Sequence, residues 1–278
     1  MREFAAVRIV QLSDHPGDML RQARQRDNKQ RLRETAQHDY AVKKYSAEVR
    51  KAEAARDQAR AEHRWLAWLR AIFAVRRVRR LAPAPPAATT VASDEESKLT
   101  AGIEGERVAT ASLGRALGDD WVLFRGYRNR LGEIDHLLVG PTGLVAIEVK
   151  NINGTVYCDG DEWRVRKFDK YGNLVEQYAL VDRGKRQRSP SVQLNEPADL
   201  LEDFLRSRGA DVALLRVVLL THQRSRIGDC HRATVNVFTR TSDIVKLLGK
   251  VPQPIDEARR AKIQELIAAD HRHHARRR

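Results

Sequence analysis

A chain of 278 residues with 51 Lys and Arg against 37 Asp and Glu carries a formal charge of +14, and at roughly 150 residues per domain this length holds one or two domains. The basic balance favours polyanionic partners, nucleic acid or an anionic membrane face, and leaves the fold open. Two cysteines, Cys158 and Cys230, are too few and too separated for a disulfide framework or a CxxC metal site, so ordinary thiols in a reducing compartment are expected.

The opening MREFAAVRIVQLSDHPGDML lacks a long apolar run followed by a small-residue cleavage site, so no secretory signal is expected. From about Met19 to Arg80 the chain is dense in Ala, Arg, Gln, Lys and Glu and has no Gly or Pro, which predicts a long helix or helical hairpin. Its apolar positions are sparse and mostly alanine, so a coiled coil, with self-association through it, is carried only as an option. Trp65, Trp68, Leu69, Ile72 and Phe73 fall at helical spacing on one face, followed by RRVRR. That pattern suits either a helix docked on protein or one lying on an anionic surface; docking is the expectation, and peripheral membrane contact is not. The run WLAWLRAIFAV is far short of the roughly 20 residues a membrane span needs, so a soluble, cytoplasmic protein is expected.

Pro, Ala, Thr and Ser then dominate APAPPAATTVASDEES, which reads as a linker. The division that follows is 1–81 helical segment, 82–97 linker, 98–250 mixed α/β domain, and 251–278 C-terminal helix with a basic tail. In the α/β part the patterns predict a helix from about Leu99 to Leu117, a strand near Trp121 to Phe124, two strands within 132–150, and a hairpin from Thr155 to Lys167 turning at Asp159 and Gly160. A helix from Pro190 to about Arg208 has Ser189 as N-cap and Pro190 in its first turn. Buried strands over Val212 to Thr221 and Thr234 to Phe238, then short helices from Ser242 and Ile255, complete the pattern. The ending DHRHHARRR is expected to be a solvated, disordered tail, its His271, His273 and His274 resembling a metal cluster only in composition.

The stretch GEIDHLLVGPTGLVAIEVK, Gly132 to Lys150, places charge on what otherwise reads as two buried strands. With Gly140-Pro141-Thr142-Gly143 as the turn, Val139 faces Leu144. The same register brings Asp135 opposite Glu148 and Glu133 opposite Lys150. Like charges directly opposed on a sheet repel, so something must compensate. By alternation Glu148 and Lys150 share a face, and Lys150 is either a counterion for Glu133 or part of a site. On the preceding helix Glu106 falls within the apolar stripe of Leu99, Gly102, Ile103, Ala109, Leu113 and Leu117; either close backbone approach explains Gly102 and Gly105, or the first turn is exposed with Glu106 in solvent and the glycines belong to the linker. Three carboxylates and a lysine at a strand end form an oxygen-ligand site for a hard divalent cation, Mg²⁺ foremost and Mn²⁺ as its substitute. Such a cation stabilises charge on a phosphoryl oxygen.

Four segments, GIEGE (Gly102 to Glu106), EIDH (Glu133 to His136), GPTGLVAIEVKN (Gly140 to Asn151) and SPSVQ (Ser189 to Gln193), resemble the nuclease-related domain (NERD) family, a branch of the PD-(D/E)XK nuclease superfamily. The resemblance covers roughly the central third of the chain. It implies a restriction-endonuclease-like mixed sheet flanked by helices, with metal ligands Asp135 and Glu148, the Val149 carbonyl as a further ligand, Glu106 assisting from its helix, Lys150 as catalytic lysine and Gln193 beside the site. Spacing also lines Gln193 up with Leu200 and Phe204, although Pro197 threatens a kink. Ile134 stands where the superfamily often has Pro, as is usual in the NERD pattern. Alternation turns His136 away from Asp135, giving it a core role.

Composition adds Lys185, Arg186 and Arg188 in the loop DRGKRQRS, with Arg128 and Arg130, as contacts to nucleic-acid phosphates. The expected function is a Mg²⁺-dependent nuclease acting on DNA in preference to RNA. Its rival is a catalytically silent module of the same fold that binds nucleic acid or a partner.

Overall fold

The computed structural model describes residues 7–85, 93–182, 186–250 and 254–276. They form two compact units, Leu20–Ser97 on its own and Met1–Met19 together with Lys98–Arg278. No described helix is long and apolar enough to cross a membrane.

The first unit is a helical hairpin. Helix α1 (His15–Ala61) starts in the other unit and supplies most of this one. It ends at a turn where His63 takes a positive φ of 55°, and α2 (Trp65–Arg79) folds back along it. Arg79 at the far end of α2 reaches Glu53 at 2.6 Å and its carbonyl accepts from the Tyr45 hydroxyl at 3.4 Å. The stripe expected to bury as one face divides. Trp68, Ile72 and Val75 are half-buried or buried, whereas Trp65, Leu69 and Phe73 are exposed.

The second unit is a mixed α/β structure whose larger sheet runs in the order β1-β2-β3-β4-β8-β10. Strand β1 (Arg8–Gln11) is absent from the sequence reading; it lies parallel to β2 (Val122–Arg128) at the edge of the sheet. Between them in the chain comes α3 (Asp94–Ala116). Strands β3 (Glu133–Gly140) and β4 (Gly143–Lys150) form the hairpin at the centre. The second sheet has the order β7-β6-β5-β9, and holds β5 (Thr155–Asp159), β6 (Glu162–Phe168), β7 (Leu174–Ala179) and β9 (Arg226–His231). Of these, β7 and β9 also lay outside the reading; their exposed, charge-bearing residues give no apolar alternation to find. The remaining elements are α4 (Pro190–Ser207), β8 (Leu214–Leu220), β10 (Asn236–Phe238), α5 (Thr241–Leu248) and α6 (Glu257–Ala275).

Two apolar layers sandwich the larger sheet. Ala109 and Leu113 of α3 and Ile244 and Leu248 of α5 pack with Leu123, Leu138, Val145 and Ile147. On the other face Leu194, Leu201 and Leu205 of α4, Ile263 and Ile267 of α6, and Trp163 of β6 pack with Leu137, Val139, Leu144 and Ala146. Strand β4 is therefore covered on both faces, which is why it reads as a near-continuous apolar run.

Two expectations are corrected. Cys158 and Cys230 are a disulfide: β5 and β9 run in parallel with these residues as partners, so a separation of 72 residues closes to a Cα distance of 4.5 Å. The cysteines thus give no support to a reducing compartment. The basic tail is not a loose end, since α6 continues to Ala275. His271 is buried and its Nδ1 accepts from the Arg128 amide at 3.1 Å, while the Tyr127 hydroxyl donates to Asp270. Burial is the first cause holding the His271 pKa below its usual value, and a neutral ring can accept that bond.

Gly140 closes the central hairpin against Trp121. A Cβ there would come within 2.1 to 2.4 Å of three indole carbons, and Trp121 is itself buried. Gly140→Ala must displace Trp121 or open the turn, and should lower unfolding stability by about 1–3 kcal/mol, read as a lower urea midpoint at unchanged slope.

Candidate active site

The β3–β4 ladder has the predicted register, with Val139 paired to Leu144 and His136 to Ile147. It ends there. One residue further, Asp135 does not pair through its main chain; its Oδ2 accepts the Val149 amide at 2.7 Å. The side chain thereby satisfies a main-chain donor at the point where the strands part, and it turns the Asp135 carboxylate toward the Glu148 end of β4.

Glu148 is only 5% exposed and accepts from the Lys150 ammonium at 2.6 Å. Lys150 does not serve Glu133, the cross-strand partner open to it on register alone. Glu133 is engaged instead by Arg128 at 3.4 Å and by the Ser13 hydroxyl at 3.0 Å. The second partner of Lys150 is Gln193, whose Oε1 accepts at 2.9 Å while its Nε2 donates to the Arg188 carbonyl at 2.7 Å. Gln193 is held in this position by the start of α4. The Ser189 hydroxyl caps the Val192 amide, and the helix continues unbroken through Pro197, whose carbonyl accepts from Asn129 Nδ2 at 2.8 Å.

Helix α3 approaches from the opposite face. A Cβ on Gly105 would come within 2.7 Å of Thr221 Oγ1 and 3.0 Å of the Asn151 Cβ, so this glycine admits the helix to the ends of β4 and β8. Gly102 borders open space, and close approach does not explain it. Glu106, on the next position of α3, lies 3.7 Å from Arg125. His136 is fully buried and shares a hydrogen bond of 2.7 Å with Thr110 Oγ1. Burial, with the Arg125 charge adding to it, pulls its pKa down to about 3, so it is a neutral core group as its alternation implied.

The acids are electrostatically frustrated. Burial, then repulsion from Glu148 and Glu106, raises the Asp135 pKa well above the usual value despite Lys150 and the Val149 amide. Burial also raises Glu106 to about 7; Arg125 opposes this, and Glu133, Glu148 and Asp14 reinforce it. Lys150 moves the other way from what burial alone would do, because Glu148 and Asp135 outweigh the desolvation and raise its pKa. It is an ammonium at neutral pH.

Asp135 and Glu148 border a cleft of about 330 Å³ that Gln193, Arg128, Arg130 and Arg188 also line. His15 and Pro16 of α1 line it as well. Arg188 is braced by Asp182 at 3.0 Å and Glu196 at 3.2 Å. Arg186 is exposed and sits 3.6 Å from Glu196; Lys185 lies outside the described residues.

Residues 101–221 match the family model described as nuclease-related domain. Over this segment the chain is similar to that family. The segment spans α3 from Ala101 to the end of β8 and contains Glu106, Asp135, Glu148, Lys150 and Gln193. No curated protein and no solved structure matches the chain. The cleft is completed by residues outside the matched segment, among them His15. Nothing local in the sequence marks His15; only the pairing of β1 with β2 carries it there.

Whether a divalent cation suits this domain is decided by its donors. Among the described residues no three His, Cys, Asp or Glu side chains converge closely enough to hold a metal by themselves. Asp135 and Glu148, mutually repelling at the mouth of one cleft, match the habit of Mg²⁺ of binding one or two carboxylates and taking its other ligands from water and phosphate. The donor set fits on those terms.

The Glu106 shift has a sign. Its folded pKa of about 7 exceeds the ordinary 4.5, so the stability its protonated form contributes is present below about pH 4.5 and is lost as pH rises through about 7. Without divalent cations, Glu106→Gln should therefore be more stable than the parent at pH 8 by on the order of 2 kcal/mol. The difference should vanish near pH 4, as read from denaturation midpoints at the two pH values.

Proposed function

We propose that the nuclease-related domain hydrolyses phosphodiester bonds in nucleic acid, DNA in preference to RNA, with Mg²⁺ or Mn²⁺ held by Asp135 and Glu148. The observation that carries this reading is that two repelling carboxylates border one cleft and one of them, Glu148, is bound by a charged lysine. When bound, the cation supplies Lewis acidity to the phosphoryl group, with the Val149 carbonyl as a further ligand.

The chain's own groups do the rest. Lys150, protonated and fixed between Glu148 and Gln193, presents positive charge where negative charge develops on the phosphoryl oxygens. Gln193 positions that ammonium rather than reacting. Glu106, with a pKa near 7, can take up or release a proton at neutral pH and assists from α3. Arg128, Arg130, Arg186 and Arg188 grip the phosphates flanking the scissile bond, with Lys185 of the same loop added to the set. The charged hairpin α1–α2 is the candidate for self-association.

Purified protein incubated with plasmid or single-stranded DNA and Mg²⁺ or Mn²⁺ should cut it. EDTA should abolish cleavage, and Lys150→Ala or Asp135→Asn should reduce it by about 10²-fold or more. If the metal-supplemented protein binds DNA but cuts neither form, the silent binding module replaces this proposal.

Binding has its own signature. Four phosphate contacts would release enough counterions to weaken affinity roughly a hundredfold between 50 and 200 mM salt. Fluorescence anisotropy with a labelled oligonucleotide measures this slope, and Arg130→Ala should flatten it by about one contact.

A further inference from the structure

The arginine-rich helix α2 has two apolar faces, and only one has a place in the hairpin. Ala67, Trp68, Ala71, Ile72, Val75 and Val78 are half-buried or buried. Trp65, Leu66, Leu69 and Phe73, at positions i, i+1, i+4 and i+8, are adjacent on a helix and are exposed by 66%, 56%, 39% and 66%. Four large apolar side chains in one contiguous exposed patch is a feature that soluble surfaces otherwise limit.

The charges on α2 itself are of one sign. The helix WLAWLRAIFAVRRVR contains no Asp or Glu. Arg79 is occupied by Glu53, whereas Arg70, Arg76 and Arg77 form no ion pair among the described residues and are exposed. Arg70 and Arg77 lie along one edge of the patch and Arg76 beyond Phe73. We propose that this face of α2 docks on the interface of an anionic lipid bilayer, with the helix lying in the plane of the surface, Trp65, Leu66, Leu69 and Phe73 inserted below the headgroups and the arginines on anionic headgroups.

The same observations weigh against the other occupants. A second copy packed face to face would bring the arginine edges together without an acidic complement, because a two-fold interface repeats the same patch on both sides. Nucleic acid would use the arginines and could stack on Trp65 or Phe73, but it has no use for the aliphatic Leu66 and Leu69 between them. An anionic bilayer uses all of them: indole at the headgroup level, aliphatic carbon beneath, cations at the charged surface. The helix rides on the surface rather than crossing the membrane, since no described helix is long and apolar enough to span one. The Trp68 face is packed within the hairpin, and the proposal concerns the Trp65 face alone. This inference is independent of the nuclease proposal.

The test is co-sedimentation of the full chain with vesicles of phosphatidylcholine alone and of phosphatidylcholine mixed with phosphatidylserine, read together with tryptophan emission. Trp121 and Trp163 are buried at 6% and 2% exposure, so a blue shift on adding vesicles reports Trp65 and Trp68. Partitioning should be at least about tenfold stronger onto the anionic vesicles and fall with added salt. The double variant Trp65→Ser/Phe73→Ser should lose both binding and the shift. Arg70→Glu/Arg77→Glu, which leaves every apolar side chain in place, should lose the preference for anionic lipid. All four sites are exposed, and far-UV circular dichroism of each variant should match the parent. No binding to anionic vesicles, or binding that both double variants retain, overturns the proposal. So does a loss of DNA affinity in Trp65→Ser/Phe73→Ser equal to its loss of vesicle binding, which would make the face a nucleic-acid surface. A dimer in gel filtration that this variant converts to monomer, without vesicle binding by the parent, would assign the face to a second copy.

Discussion

The Val149 amide donating to the Asp135 carboxylate is the contact on which the site depends. It stands where the central hairpin stops pairing through its main chain, and it replaces a ladder hydrogen bond with one accepted by an acidic side chain. An aspartate there satisfies a donor that would otherwise be orphaned, and it keeps one carboxylate oxygen for the cleft. The cost is a carboxyl group held near Glu148 and Glu106, which burial and repulsion push toward its protonated form. The fold supports this frustration by covering β4 on both faces with α3, α5 and α4. Lys150, held between Glu148 and Gln193, offsets part of the negative charge.

Much of this was legible because it rests on local rules. The Gly140 to Gly143 turn sets the register of the hairpin, and the register brings Asp135 and Glu148 to the same end of the strands. Ser189 as N-cap and Pro190 in the first turn locate α4, and through it Gln193. Gly105 marks the close approach of α3, while Gly102, which carries the same letter three residues earlier, marks nothing of the kind.

What was not legible depends on pairing between distant segments. Strand β1 is four residues long and reads as an unremarkable N-terminus, yet its parallel pairing with β2 brings His15 to the cleft. Cys158 and Cys230 lie 72 residues apart and become neighbours only because β5 and β9 pair. The tail around His271 looks like a solvated basic run because its partners, the Arg128 amide and Tyr127, are far away in sequence. In α2 the spacing of the apolar residues was plain, but spacing alone could not reveal that they divide between a packed face and an open one.

The proposed hydrolysis requires a cation between Asp135 and Glu148. The most direct measurement is an anomalous difference map from crystals of the protein soaked in Mn²⁺. One peak within coordinating distance of both carboxylates in the parent, absent from Asp135→Asn crystals treated alike, is the predicted result. A cleft without a peak at saturating Mn²⁺, or a peak that survives Asp135→Asn unchanged, would contradict it.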